Sequence, residues 1–157
     1  MKKVLFVLTL ISVLILASCG KKTSGEVPSI IQDNLPNWGI TLTVEDITST
    51  GLTLVVTQSG GEPDGELQTG SPYHLDKLVG DKWEAVEEAP LPEGVDARGW
   101  NAMAYIVPMG TSTDYEINWE WLYGELSAGT YRLVKSFDLC EYGEYESFSY
   151  WVAFTIE

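Results

Sequence analysis

Basic residues are scarce in this chain. Its 157 residues carry nine Lys and Arg against 23 Asp and Glu, a formal net charge of −14. Nucleic-acid binding sets Lys and Arg against phosphates, so this balance argues strongly against it. Cysteine is nearly absent: Cys19 and Cys140 are too few for a disulfide framework. Histidine occurs once, as His74, and one imidazole cannot build an ordinary zinc site. No glycine-rich phosphate loop is present, and no Ser or Cys stands in a recognisable nucleophile setting. Long apolar runs are missing too. The longest, Val4–Ala17, has 14 residues with Thr9 and Ser12 inside it, whereas a membrane-spanning helix needs about 20. Paired carboxylates are plentiful, but two-carboxylate chemistry needs a cleft, which a small domain seldom has. These absences together argue against an enzyme. Aromatics are not scarce: they make up 11% of the chain, with six Trp and eight Tyr, which separates it from disordered sequences.

The short apolar run has a meaning of its own. Lys2 and Lys3 precede it, and Leu16-Ala17-Ser18-Cys19 closes it. A basic start, a short apolar core and small residues before a cut describe a secretory signal peptide. The segment resembles the lipobox of bacterial lipoprotein precursors, in which cleavage falls just before a cysteine that carries lipid. The resemblance implies residues 1–18 as signal peptide and Cys19 as the acylated (palmitate-bearing) first residue of the mature chain. It implies tethering to the outer face of the cytoplasmic membrane, and at least two acyl chains hold stably where one holds marginally. Without Lys2 and Lys3 the mature chain has seven basic residues and a net charge of −16. With Cys19 lipidated, Cys140 has no partner and reads as a half-buried spectator thiol. Residues 19–39 read as the lipidated start and a linker, with Lys21 and Lys22 placed to touch anionic headgroups. In it, Ile30, Ile31, Leu35 and Trp38 suit a short turn or a first strand contact.

From Ile40 to Glu157 the pattern is β. Ile40, Leu42 and Val44 alternate with Thr41, Thr43 and Glu45, and Leu52, Leu54 and Val56 continue the same period of two. Gly80-Asp81 between residues 72–79 and 82–86 is a two-residue hairpin signal. Further strands are expected at 101–107, 113–119, 130–137 and 147–156. Phe148, Tyr150, Val152, Phe154 and Ile156 form one apolar face of the last. Seven or eight short antiparallel strands at this spacing predict an all-β sandwich. In Leu126-Ser-Ala-Gly129-Thr-Tyr131, a Tyr that opens a strand resembles a tyrosine corner, with Leu126 packed beneath and Gly129 turning the chain. The hairpin SPYHLDKLVGDKWEAV, the block INWEWLYGELSAGTYRLVK and the closing YWVAFTI resemble the immunoglobulin-like (fibronectin III-like) domains of lipoproteins of Gram-positive bacteria. The resemblance covers about three-quarters of the chain. It implies a fold and a binding or structural role, since the scaffold serves many uses. The disulfide and Trp spacing of antibody domains are missing.

This topology predicts where a site lies. Loops after the second, fourth and seventh strands share one end of such a sandwich. They are GGEPDGELQTG within 59–71, EEAPLPEGVDARG at 87–99 and DLCEYGEYE at 138–146, with net charges of −3, −3 and −4. The first strand starts at this same end. The linker reaches at most about 70 Å, so the tip can face toward or away from the membrane. Three readings compete for the tip. Acidic loops keep an exported domain soluble. A basic protein partner would meet Tyr142 and Tyr145 among Glu141, Glu144 and Glu146. Calcium would draw oxygens from Glu62, Asp64, Glu66, Glu93 and Asp96, although EF-hand spacing is absent. No cofactor is otherwise implied, and a monomer is expected. Elsewhere, Trp83, Trp100, Trp121 and Trp151 are candidates for stacking on cell-wall glycan. Trp151 lies on the outward phase of the last strand, Trp121 packs near the tyrosine corner and Trp119 points inward. The stiff loop Ala89-Pro-Leu-Pro-Glu93 suits presentation to a protease as an inhibitor. His74, between Tyr73 and Leu75 on a sheet face, reads as structural.

Overall fold

The computed structural model describes residues 34–157. Cys19, the signal peptide, Ile30 and Ile31 lie outside the described residues. Nine strands and one short helix follow in order: β1 (Ile40–Glu45), β2 (Gly51–Gln58), β3 (Glu66–Thr69), β4 (His74–Val79), β5 (Lys82–Ala85), β6 (Tyr105–Ile106), β7 (Ser112–Asn118), α1 (Glu120–Tyr123), β8 (Gly129–Glu141) and β9 (Glu144–Ile156). All pairings are antiparallel. One sheet has the order β1-β2-β7; the other runs β5-β4-β8-β3-β6, with β9 on the free side of β8. The two form a β-sandwich, as the alternation predicts.

The period of two does its expected work at the core. Leu52, Leu54, Val56 and Ile117 from the small sheet meet Leu75, Tyr131, Leu133, Phe137, Tyr150, Phe154 and Ile156 from the large one, all buried. Trp119 is fully buried and stacks on Phe154 at 5.5 Å between ring centroids. Its indole N–H donates to the Ser49 carbonyl at 2.9 Å, so the polar edge of the ring is satisfied. Trp38 is buried against Phe148 and Tyr150, so the packed unit takes in residues upstream of Ile40.

Four polar or charged side chains are buried among the described residues, Gln58, Thr69, Asp76 and Lys135, and two of them bear on the site. Gln58 is fully buried, yet every group is used. Its amide nitrogen donates to the carbonyls of Trp38 and Gly60, and its oxygen accepts from the Gly110 N–H at 2.7 Å. One side chain thus ties three loops at one end of the sandwich. Lys135 falls on the inward phase of β8 and is 2% exposed. Its ammonium donates to the Gly70 carbonyl at 2.5 Å. Burial pulls its pKa down to about 8.

Several elements depart from the sequence expectation. β3 lies inside the stretch read as a loop, because its four residues carry only one buried apolar side chain, Leu67. The strand expected at 101–107 shrinks to Tyr105–Ile106. There the Asn101 side chain accepts from the Met103 N–H at 3.2 Å, a local bond that competes with strand pairing. The segment 138–146 is not a loop at all. β8 and β9 stay paired to Glu141 and Glu144, and only Tyr142 and Gly143 turn.

Candidate functional sites

Four places on the domain are candidates for a site, three of them expected from the sequence. The first is the end of the β8–β9 ribbon. Tyr142 and Gly143 both have positive φ, 48° and 86°, as a tight two-residue hairpin turn requires. Tyr142 is 99% exposed and Tyr145 is 64% exposed. Glu141 and Glu144 stand directly opposite, and Glu146 opposes Leu139. The 59–65 loop belongs to the same end, since Glu66 pairs with Cys140 and the Gly65 Cα faces the Cys140 carbonyl too closely for a Cβ. Glu62 and Asp64 therefore share this end with the ribbon, while Glu66 is a strand residue on the outer face.

The third predicted loop is elsewhere. The Ala89 N–H donates to the Leu122 carbonyl at 2.9 Å, and the Arg98 guanidinium donates to the carbonyls of Trp121 and Pro90. Arg98 also lies 3.5 Å from Glu88. These bonds hold 87–99 against α1, next to the start of β2, at the end of the sandwich opposite the ribbon tip. Glu93 and Asp96 are thereby removed from Glu62, Asp64 and Glu141. The three-loop acidic tip is corrected to two elements, because Arg98 anchors the third. No group of three His, Cys, Asp or Glu among the described residues is placed to hold a metal ion. The Ala89–Glu93 loop is braced from beneath by the same arginine.

The third place is the outer face of the large sheet. Arg132 lies over Trp83 at 5.0 Å and over Trp151 at 5.4 Å, and its Nε donates to Asp76 at 2.7 Å. The indoles flank a guanidinium, so Trp151 is half-buried and its ring is engaged. His74 opens β4 on this face, 4.0 Å from Asp76. Cys140 is a free, half-buried thiol on the same face. The more exposed indoles are Trp121 at 42% and Trp100 at 37%. Trp121 was expected to pack near the tyrosine corner. Instead it meets Trp100 edge-on at 4.9 Å, and Trp100 meets Tyr73 the same way.

Those rings line the fourth place, which sequence reasoning missed. A cleft of about 540 Å³ opens between the sheets, bounded by Ser71, Tyr73, Trp100, Asn101, Tyr105, Trp121, Lys135 and the consecutive β7 residues Asp114–Asn118. The Tyr73 hydroxyl donates to the Asn118 carbonyl at 2.9 Å, and burial raises its pKa well above the usual tyrosine value. The Tyr115 hydroxyl is buried without a hydrogen-bond partner among the described residues. Burial, and then Tyr105, raise its pKa. Only the exposed aromatics near the missing strand could have signalled this cleft.

At the opening of β8, the Tyr131 hydroxyl donates to the Ser127 carbonyl at 2.8 Å, with Leu126 buried beside it. Gly129 has φ 157°, a backbone conformation that residues with side chains rarely adopt. A Cβ on it would come within 3.0 Å of Lys77 Cε and 3.4 Å of the Tyr131 ring. A family model described as "Bacterial Ig-like domain" matches residues 36–150. The chain belongs to the bacterial Ig-like domain family. No curated protein and no solved structure matches the chain.

Bacterial Ig-like domains are binding or structural modules, and the fold is typically non-enzymatic. In constant-type immunoglobulin domains strand D lies beside strand E at the edge of the four-stranded sheet. In this Ig-like domain β6, the strand that precedes β7 in the chain, pairs with β3 in the large sheet. Among the described residues no strand pairs the far edge of β7. That edge, rather than a side-chain cluster, forms the wall of the cleft.

Proposed function

We propose that this chain is a lipid-anchored, extracytoplasmic binding module that meets a basic protein partner through the β8–β9 ribbon tip. The observation that carries this reading is Tyr142. Its side chain is 99% exposed, while its backbone holds a left-handed conformation that suits Gly or Asn. A fully exposed aromatic at such a position is useful to a contact and to little else. The acids around it set the sign of the partner. Glu141 and Glu144 repel one another across the ribbon, and a basic surface would relieve that repulsion. Cys19 supplies the anchor in this proposal, supported by the basic start, short apolar core and Leu-Ala-Ser-Cys ending.

The full-length chain, immobilised and exposed to envelope extract from its own source, is expected to retain a basic protein. Glu141→Lys, Glu144→Lys and Glu146→Lys together, or Tyr142→Asn alone, are expected to abolish retention without unfolding the domain. Retention that survives both variants removes the tip from the function. Labelling with radioactive palmitate that persists in Cys19→Ser removes the anchor.

A further inference from the structure

We propose that the free edge of β7 is a strand-addition site for an extended, basic segment of a partner protein. The inference is independent of the ribbon tip. The phase of β7 follows from two backbone bonds, Gln58 N–H to Thr111 and Trp119 N–H to Thr50. In an antiparallel ladder, hydrogen-bonded and non-hydrogen-bonded pairs alternate. Positions 113, 115 and 117 therefore face β2, and Asp114 and Glu116 turn both backbone N–H and C=O toward the open edge. Five consecutive residues of that strand, about 17 Å of chain, line the cleft. The strand that precedes β7 in the chain, β6, pairs with β3 in the other sheet and leaves this edge open.

The chemistry of the occupant follows from the two faces of the edge. On the outward phase, the exposed Asp114 and Glu116 carboxylates would lie beside every second residue of an added strand, and opposite charges across a pair are favourable. On the inward phase, an added side chain would enter the cleft against Tyr105 and toward the Tyr115 hydroxyl, which lacks a partner among the described residues. The fitting segment is extended and alternates Lys or Arg with apolar residues. This is recognition by β-augmentation, in which main-chain bonds give affinity and alternate side chains give specificity. A glycan is less suited, since the Trp100 and Trp121 rings pack edge-on against each other rather than offering an open face. Acidic side chains on an edge also serve simply to prevent unwanted pairing, and the experiment separates that role from recognition.

The probes are octapeptides selected from a displayed library against the full-length chain in detergent micelles. Selected peptides are expected to alternate basic and apolar residues and to slow amide exchange across 112–118 by about tenfold or more. Glu116→Pro removes an N–H that the fold does not use, and Pro is tolerated on an edge strand. It is expected to weaken binding by about tenfold while exchange in 129–141 is unchanged. Should that variant unfold, the pair Asp114→Lys and Glu116→Lys carries the test, with preference expected to swing to acidic peptides. Failure to enrich any peptide overturns the proposal and leaves the acids as edge protection. Protection that maps outside 112–118 overturns it too. So does slowing of this segment by soluble cell-wall glycan and by no peptide, which would make the cleft a carbohydrate site.

Discussion

Tyr131 shows how much of this fold can rest on one oxygen. The ring is 2% exposed, stacks on Phe154 at 5.8 Å and carries the Lys77 ammonium 5.3 Å from its centroid. All of those contacts survive in Tyr131→Phe. What is lost is the 2.8 Å bond to the Ser127 carbonyl, which fixes the loop that leads into β8. The carbonyl then lacks a donor in a part-buried site, a cost of about 1–2 kcal/mol. Urea unfolding followed by Trp fluorescence is expected to show that loss as a lower midpoint with an unchanged slope. An unchanged midpoint would mean that the Ser127 hydroxyl, which accepts from the Lys77 ammonium at 3.0 Å, holds the loop without it.

Among the elements, the β8–β9 ribbon was the least legible in the sequence and is the most informative in the structure. A run such as Asp138-Leu-Cys-Glu-Tyr-Gly-Glu-Tyr-Glu146 reads as a loop because charge outweighs its single apolar inward residue, Leu139. What keeps it paired is continuity with Phe137 and Phe148 below, which burial alone explains. β1, β2, β7 and the β4–β5 hairpin were legible, since each has a clean alternation or a Gly80-Asp81 turn. The displacement of the 87–99 loop was not, because it depends on Arg98 finding carbonyls far away in sequence. The cleft was hidden for a similar reason: it exists because a strand joins the other sheet, and no local pattern reports that. The ribbon turn yields its own prediction. Asn adopts the left-handed conformation more readily than Tyr, so Tyr142→Asn is expected to raise stability by about 0.5–1 kcal/mol. A higher thermal midpoint alongside lost partner retention would mark Tyr142 as kept for contact at the expense of stability. A lower midpoint would show that the exposed ring supports the ribbon after all.

At the scale of the whole molecule, the buried cation sets the response to pH. Burial pulls Lys135 down to about 8, whereas the same side chain in the unfolded chain keeps its proton to about 10.5. Between those values the unfolded state binds the extra proton, so stability rises as pH rises. Burial acts oppositely on phenols. It raises Tyr73, Tyr115 and Tyr123, and it pushes Tyr150 up to about 12. Above pH 10 the unfolded chain releases phenolic protons that the folded chain retains, and stability falls. Thermal unfolding is therefore expected to be most resistant between about pH 9 and pH 10; the lysine alone contributes a rise of about 2 kcal/mol between pH 8 and pH 10, and the phenols offset part of it as the pH approaches 10. Lys135→Met removes the group responsible for the rise and leaves the fall, so its profile is expected to be flat up to about pH 9 and to fall beyond it. If the variant keeps the wild-type rise, the lysine is hydrated in the fold and titrates there as it does in the unfolded chain, and another group controls the response. If neither profile falls above pH 10, these tyrosines are open to hydroxide, and the packing around them is looser than their burial implies.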